Sequence, residues 1–222
     1  GLVFIAPYDD RAVIAGQGTI ALEMLDSCPD LEVLVVPVGG GGLIAGMAVA
    51  AKDVRPDIEL LGVQSERWPG THRLKHDGDR SGTVGGQTIA EGIAVARAGD
   101  LPAPIIEDLV DEVRLVSESD IEAAIATLIE IEKTVAEGAG AITLAAVRSD
   151  PARFAGRKVG IVVSGGNIDT QTCVTGGWEN QCLGEGVFLE GDCSFKTIDG
   201  TGPGACEFDN LSDEGKAVSY TH

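Results

Sequence analysis

Apolar and polar positions come in alternating blocks along the chain. Residues 2–5 (Leu-Val-Phe-Ile) form a short apolar opening and predict a strand. Residues 13–25 have helical length but carry Gly16 and Gly18. From 32 to 38 the run Glu-Val-Leu-Val-Val-Pro-Val is apolar after its first residue, the pattern of a strand buried on both faces. Four glycines, Gly39 to Gly42, lead into 43–52, a helix of small residues. A strand is predicted over 58–63, then a polar, Gly-rich loop over 65–87 and a strand over 112–116. Ser117-Glu-Ser-Asp120 resembles a capping box, with Asp in place of the usual Glu, and opens a helix over 121–132. A small-residue helix near 138–147 precedes a last strand over 158–163. Strand–helix alternation with short connections predicts an α/β fold, a mostly parallel twisted sheet with helices on both faces.

Composition narrows this picture. The chain has 222 residues, room for one domain or one and a fragment. With 44% hydrophobic and 23% charged residues, it can build a packed core. Asp and Glu total 35 against 16 Lys and Arg, a formal charge of −19. Such a surface repels phosphate backbones and anionic lipid, so neither nucleic acid nor membrane is expected as a partner. The uncharged run 33–51 is long enough to suggest a membrane span and contains the GxxxG spacing Gly42 to Gly46. Pro37 and the four glycines break it into a strand and a helix. No charged segment followed by an apolar one opens the chain, so a cytoplasmic location is expected. Four of the five cysteines (Cys173, Cys182, Cys193, Cys206) lie late in the chain at spacings that match no zinc template. Apolar periodicity fades near Thr170. The chain therefore divides into 1–169 and an atypical Gly/Cys-rich tail, 170–222, predicted irregular.

Chemistry concentrates at the ends of the predicted strands. Gly39-Gly-Gly-Gly-Leu-Ile-Ala-Gly46 lies between a buried strand and a helix, where backbone N–H groups and the helix dipole can cradle a phosphate without a basic side chain. A Walker loop is excluded, because Leu43 and Ile44 stand where Lys and Ser/Thr would be needed. Gly40-x-Gly42-x-x-Ala45 also fits a dinucleotide fingerprint, with Glu66 about twenty residues further on, so an oxidoreductase domain is an alternative. Ser164-Gly-Gly-Asn167 is a second glycine turn, and in a parallel sheet both turns open on the same edge. Thr88 to Ala94 and Val135 to Ala141 each place a carboxylate beside glycine, which suggests close approach to something flat. His72 and His76 read as surface residues of a polar loop, and Asp9-Asp10 as a solvated turn.

Taken in order, Ala15-Gly-Gln-Gly-Thr19, Val36-Pro-Val-Gly-Gly-Gly-Gly-Leu43, Gly62-Val-Gln64, Thr88-Ile-Ala-Glu-Gly-Ile-Ala-Val95, Glu137-Gly-Ala-Gly140 and Ser164-Gly-Gly-Asn-Ile-Asp169 resemble the threonine dehydratase and serine racemase group of fold-type II pyridoxal-phosphate enzymes. The resemblance implies the large-domain portion of such an enzyme over 1–169, with pyridoxal phosphate as cofactor. It implies that Gly39, Gly40, Gly41, Gly42 and Leu43 hold the cofactor phosphate, that Ser164 meets the pyridine nitrogen, and that Gly92 and Glu137 line the ring. An uncharged pyridine is a weaker electron sink, which suits β-elimination. The implied reaction is an ammonia-lyase (dehydratase) conversion of threonine or serine to a 2-oxo acid and ammonia. A homo-oligomer is also implied. No metal is expected, because Gln64, Trp68 and Gly70 stand where the racemase-like members carry cation ligands. Relative to the family, a front part with the Schiff-base lysine is expected to be missing, which leaves the activity of this chain open and an inactive remnant as a further alternative. Ser194-Phe-Lys196 in the tail resembles the missing lysine motif, making Lys196 a candidate, with a chance match as the other reading. No catalytic residue is otherwise assigned.

Overall fold

The computed structural model describes residues 2–168 and 217–221. Among these residues five strands, β1 (Val33–Pro37), β2 (Glu59–Ser65), β3 (Glu112–Val116), β4 (Val159–Val163) and β5 (Ala217–Thr221), form one parallel sheet in the order β3-β2-β1-β4-β5. The central strand β1 is buried throughout. Side chains alternate across a strand, so Val33 and Val35 enter one core while Leu34 and Val36 enter the other. The α/β sheet covered on both faces is as the alternation predicts.

Among the described residues seven helices flank it: α1 (Arg11–Ser27), α2 (Gly42–Val54), α3 (Gly70–Asp77), α4 (Pro102–Leu109), α5 (Glu118–Glu130), α6 (Gly138–Ser149) and α7 (Pro151–Phe154). Helices α1, α2 and α4 bring Met24, Ile44, Met47 and Ile106 onto the Leu34/Val36 face. Helices α5 and α6 bring Ile121, Ile125 and Ile142 onto the Val33/Val35 face. At the N-terminal ends of β2 and β3 an ion-pair network joins Glu59, Glu112, Arg153 and Arg157, with Arg157–Glu59 and Arg153–Glu112 both at 2.7 Å. Burial works against the Glu59 charge, yet Arg157 and Arg153 together hold its carboxyl below the ordinary value.

Several expectations are corrected. Residues 2–5 form no strand; Leu2, Val3, Phe4 and Ile5 are exposed, and no described strand pairs with them. The polar stretch 65–87 contains α3, which sets only Thr71 and Leu74 inward after Gly70 and so shows little apolar periodicity. His72 is half-buried, and His72 Nδ1 and His76 Nε2 both meet the carbonyl of Val113, at 2.6 and 3.0 Å. Asp10 caps a helix, and Asp9 ties its turn to a distant one. Asp10 Oδ1 accepts from Ala12 N and Val13 N at the start of α1, and Asp9 accepts from Asp100 N and Leu101 N just before α4. The tail lies outside the described residues except for 217–221. There the structure departs from the irregular expectation: the free edge of β4 takes β5 as a parallel partner.

Candidate functional site

The site is built where β1 and β4, neighbours in the sheet, deliver their C-terminal turns to the same edge. Beyond β1, Gly41 takes φ +93 and ψ −3 as the residue before α2, a left-handed conformation that side chains disfavour. The first backbone N–H of this turn to meet a described backbone carbonyl is that of Ala45, onto Gly41 O at 3.0 Å. Among the described residues, the N–H groups from Gly39 through Ile44 therefore stand free at the head of a 13-residue helix. The turn is braced from behind. Gly99 N donates to Gly40 O at 2.9 Å, and the Tyr8 ring lies against Gly40 so closely that a Cβ there would overlap it.

Around this cradle the structure brings together Leu43, Gly92, Glu137 and Ser164. Leu43 shares a cleft of about 340 Å³ with Ser164, Gly165, Gly16 and Gln17. A Cβ on Gly39 would stand 3.1 Å from Ile93 Cα, so the short 3₁₀ turn Glu91–Ile93 lies beside the cradle. On its other side, a Cβ on Gly92 would stand 3.0 Å from Glu137 Oε1. Glu137 Oε1 in turn lies 2.5 Å from the position of a Cβ on Gly165, and Glu137 N donates to Gly165 O at 3.1 Å. Gly39–Gly42, Leu43, Gly92, Glu137 and Ser164 thus form one continuous rim. Sequence reasoning missed Tyr8, which enters through long-range packing, and took in Ile93 and Gly165 only as members of their turns; the Lys196 candidate lies outside the described residues.

A phosphate group fits this rim. The converging N–H groups supply donors, the helix head supplies partial positive charge, and the glycines leave room for close approach. Ser164 and the Glu137–Gly92 pair line the space beside it. Glu137 sits just before α6 without capping it by its side chain. Burial pushes its carboxyl above the ordinary value of 4.5, and the Glu91 carboxylate adds to the effect.

That shift sets a pH-dependent prediction. An acid whose folded pKa exceeds its unfolded one destabilises the fold when ionised, and the penalty grows as pH rises from the unfolded value through the folded one. Glu137→Gln should therefore be more resistant to urea than the parent at pH 7, and the gain should vanish as pH falls to about 4. Equal midpoints at pH 7 would show that the carboxylate is not penalised.

Residues 1–165 match the family described as pyridoxal-phosphate dependent enzyme. The chain is 48% identical over 169 residues to the L-threonine ammonia-lyase of Thermotoga maritima, covering 76% of this chain and 42% of that protein. It is 46% identical over 171 residues to the catabolic L-threonine dehydratase TdcB of Escherichia coli, covering 76% and 52%. Maize serine racemase superposes with a TM-score of 0.73 at 37% identity, covering 81% of this chain and 56% of that one. The chain spans about half the length of the curated relatives it matches.

Proposed function

Because this chain belongs to the family of pyridoxal-phosphate dependent enzymes, we propose that it is the phosphate-holding portion of an ammonia-lyase that takes threonine or serine to a 2-oxo acid and ammonia. The observation that carries this reading is the row of free N–H groups from Gly39 to Ile44 at the head of α2. Similarity to the two threonine ammonia-lyases supports the substrate class. The family match over 1–165 displaces the dinucleotide reading of Gly40-x-Gly42-x-x-Ala45.

In this reading the N–H groups of Gly39 to Leu43 would hold the cofactor phosphate. The Ser164 hydroxyl, in the cleft it shares with Leu43, would be the donor for the pyridine nitrogen of a bound cofactor and would leave that nitrogen uncharged. Gly92 would leave room for the ring beside Glu137, whose carboxyl burial pushes above its ordinary value. Pyridoxal phosphate, when bound, supplies the electron sink for the α-carbon of an amino acid. The buried floor under the turn, Gly40 to Gly42 and Ile44, keeps water off the phosphate from below. Self-association and a cytosolic location belong to the same proposal.

The test is retention of pyridoxal phosphate by the purified chain after gel filtration, followed by its absorbance. Retained cofactor that inorganic phosphate displaces is the expected result. A chain that emerges without cofactor at saturating load would remove the proposal for this chain. If cofactor is retained, release of 2-oxobutanoate from threonine or pyruvate from serine decides the substrate.

A further inference from the structure

Glu118 does not look like a functional residue in the sequence, yet its carboxylate joins two segments far apart in the chain. It is the first residue of α5, and the capping task there falls to Ser117, which accepts from Asp120 N at 3.2 Å. The Glu118 carboxylate instead turns toward the sheet. Its Oε1 accepts from Ser65 Oγ at 2.5 Å and from Thr88 Oγ1 at 2.8 Å, and its Oε2 accepts from Ile89 N at 2.7 Å. Its side chain is only 16% exposed, and Arg67 Nε lies 4.0 Å away. All three partners donate, and a carboxylate is an acceptor on both oxygens.

The neighbouring bonds complete a strap. Trp68 Nε1 donates to Gly86 O at 2.9 Å and Arg67 Nη1 to Gln87 O at 2.6 Å. Carbonyls 86 and 87 are thus held by donors from the turn just after β2, and positions 88 and 89 by the acceptor on α5. Thr88 Oγ1 passes the order on by accepting from Ala90 N at 3.1 Å. The residues that follow, Glu91 to Ile93, are held among themselves by Ile93 N to Ala90 O and Ala94 N to Glu91 O. This turn lies between the cradle at Gly39 and the wall at Glu137, so the point that anchors it sets the width of the site.

We infer that Glu118 is a positioning residue, which through Thr88 and Ile89 holds the Glu91–Ile93 turn at the distance from Gly39 and Glu137 that a ring-bearing phosphate ligand needs. The inference rests on the proposed function for the identity of that ligand. The anchoring itself does not need the ligand.

Two measurements on the full chain test it. In hydrogen exchange without cofactor, Glu118→Ala should speed exchange at residues 89–93 about tenfold while the amides of β1 and α2 keep theirs. Glu118→Gln, which keeps the size and one acceptor oxygen, should fall between the two. In binding, the Glu118→Ala chain should lose about tenfold in pyridoxal phosphate affinity while inorganic phosphate, which needs only the cradle, changes by less than about threefold. Unchanged exchange at 89–93, exchange that rises equally across the sheet, or an equal loss for both ligands would overturn the inference. If wild type binds phosphate but not pyridoxal phosphate, the proposed function fails and the exchange result alone decides the role of Glu118. Thr88→Val removes one of the three donors and leaves the charge; it carries the same tests should Glu118→Ala fold poorly.

Discussion

A Gly46→Ala chain should lose about 2 kcal/mol of stability, although alanine is the better helix former. Glycine inside a helix gives up about 1 kcal/mol relative to alanine, so helix propensity alone predicts a gain. Packing decides the other way. Helix α1 crosses α2 at Gly46, where an added Cβ would overlap the carbonyl oxygen of Ile14 and stand 2.9 Å from Gly18 N and 3.1 Å from Gln17 Cβ. The approach is mutual, since a Cβ on Gly18 would stand 3.0 Å from Gly46 O. Two of these atoms are backbone and cannot rotate away. Helix α1 would have to slide as a whole, and overpacking of this kind costs about 3 kcal/mol, more than the propensity returns. The slide would also carry Gly16 and Gln17 along, and with them one wall of the cleft that contains Leu43 and Ser164. Gly16→Ala is the control: it lies in the same helix, nothing stands within 4 Å of its added Cβ, and the same substitution should stabilise by up to about 1 kcal/mol. Urea midpoints followed by far-ultraviolet circular dichroism separate the two. A Gly46→Ala midpoint at or above the parent's would mean that the helices do not cross there.

The same glycine shows what the sequence could and could not convey. Gly42 to Gly46 has the spacing of a membrane helix pair, yet Gly46 serves a crossing between two helices of one sheet-covering layer. Spacing reveals that a helix wants close approach, and not what approaches. The strand β1 was legible because burial on both faces leaves an unbroken apolar run. Helix α3 was hidden because it turns only a few of its residues inward and is otherwise polar. Helix α4 was hidden by Pro102 and Pro104, which look like breakers but sit in its first turn, where no intrahelical N–H is required. At the site, Gly39–Leu43 and Ser164 were legible as turn chemistry at strand ends, and Gly92 and Glu137 through the family's blocks. Tyr8 against Gly40, Ile93 against Gly39 and Glu118 on Ser65 and Ile89 were not. No local period links residue 65 to 118 or 8 to 40; only the parallel crossovers bring them together.

Gly41→Ala should separate binding from folding. Gly41 holds φ +93, a conformation that costs a side-chain-bearing residue about 1–2 kcal/mol, and its added Cβ would stand 2.7 Å from Ile106 Cδ1 and 3.1 Å from Pro102 Cβ. Ile106 Cδ1 is the end of a flexible side chain and can yield, so the fold survives with a loss of about 1–2 kcal/mol. The cradle has less tolerance. The backbone relieves the strain by rotating Gly41 toward negative φ, and that swings the adjoining N–H groups away from the point where those of Gly39 to Ile44 converge. Each hydrogen bond to a charged phosphate oxygen contributes about 1.5–3 kcal/mol, so losing one or two weakens binding about a hundredfold. Inorganic phosphate and pyridoxal phosphate should weaken in parallel, because the damage lies at the end they share. That parallel loss contrasts with Glu118→Ala, where only the ring-bearing ligand should suffer. Competition titrations read by cofactor fluorescence, beside a urea midpoint on the same sample, measure both quantities. Full affinity in a folded Gly41→Ala chain would place the phosphate somewhere other than the head of α2.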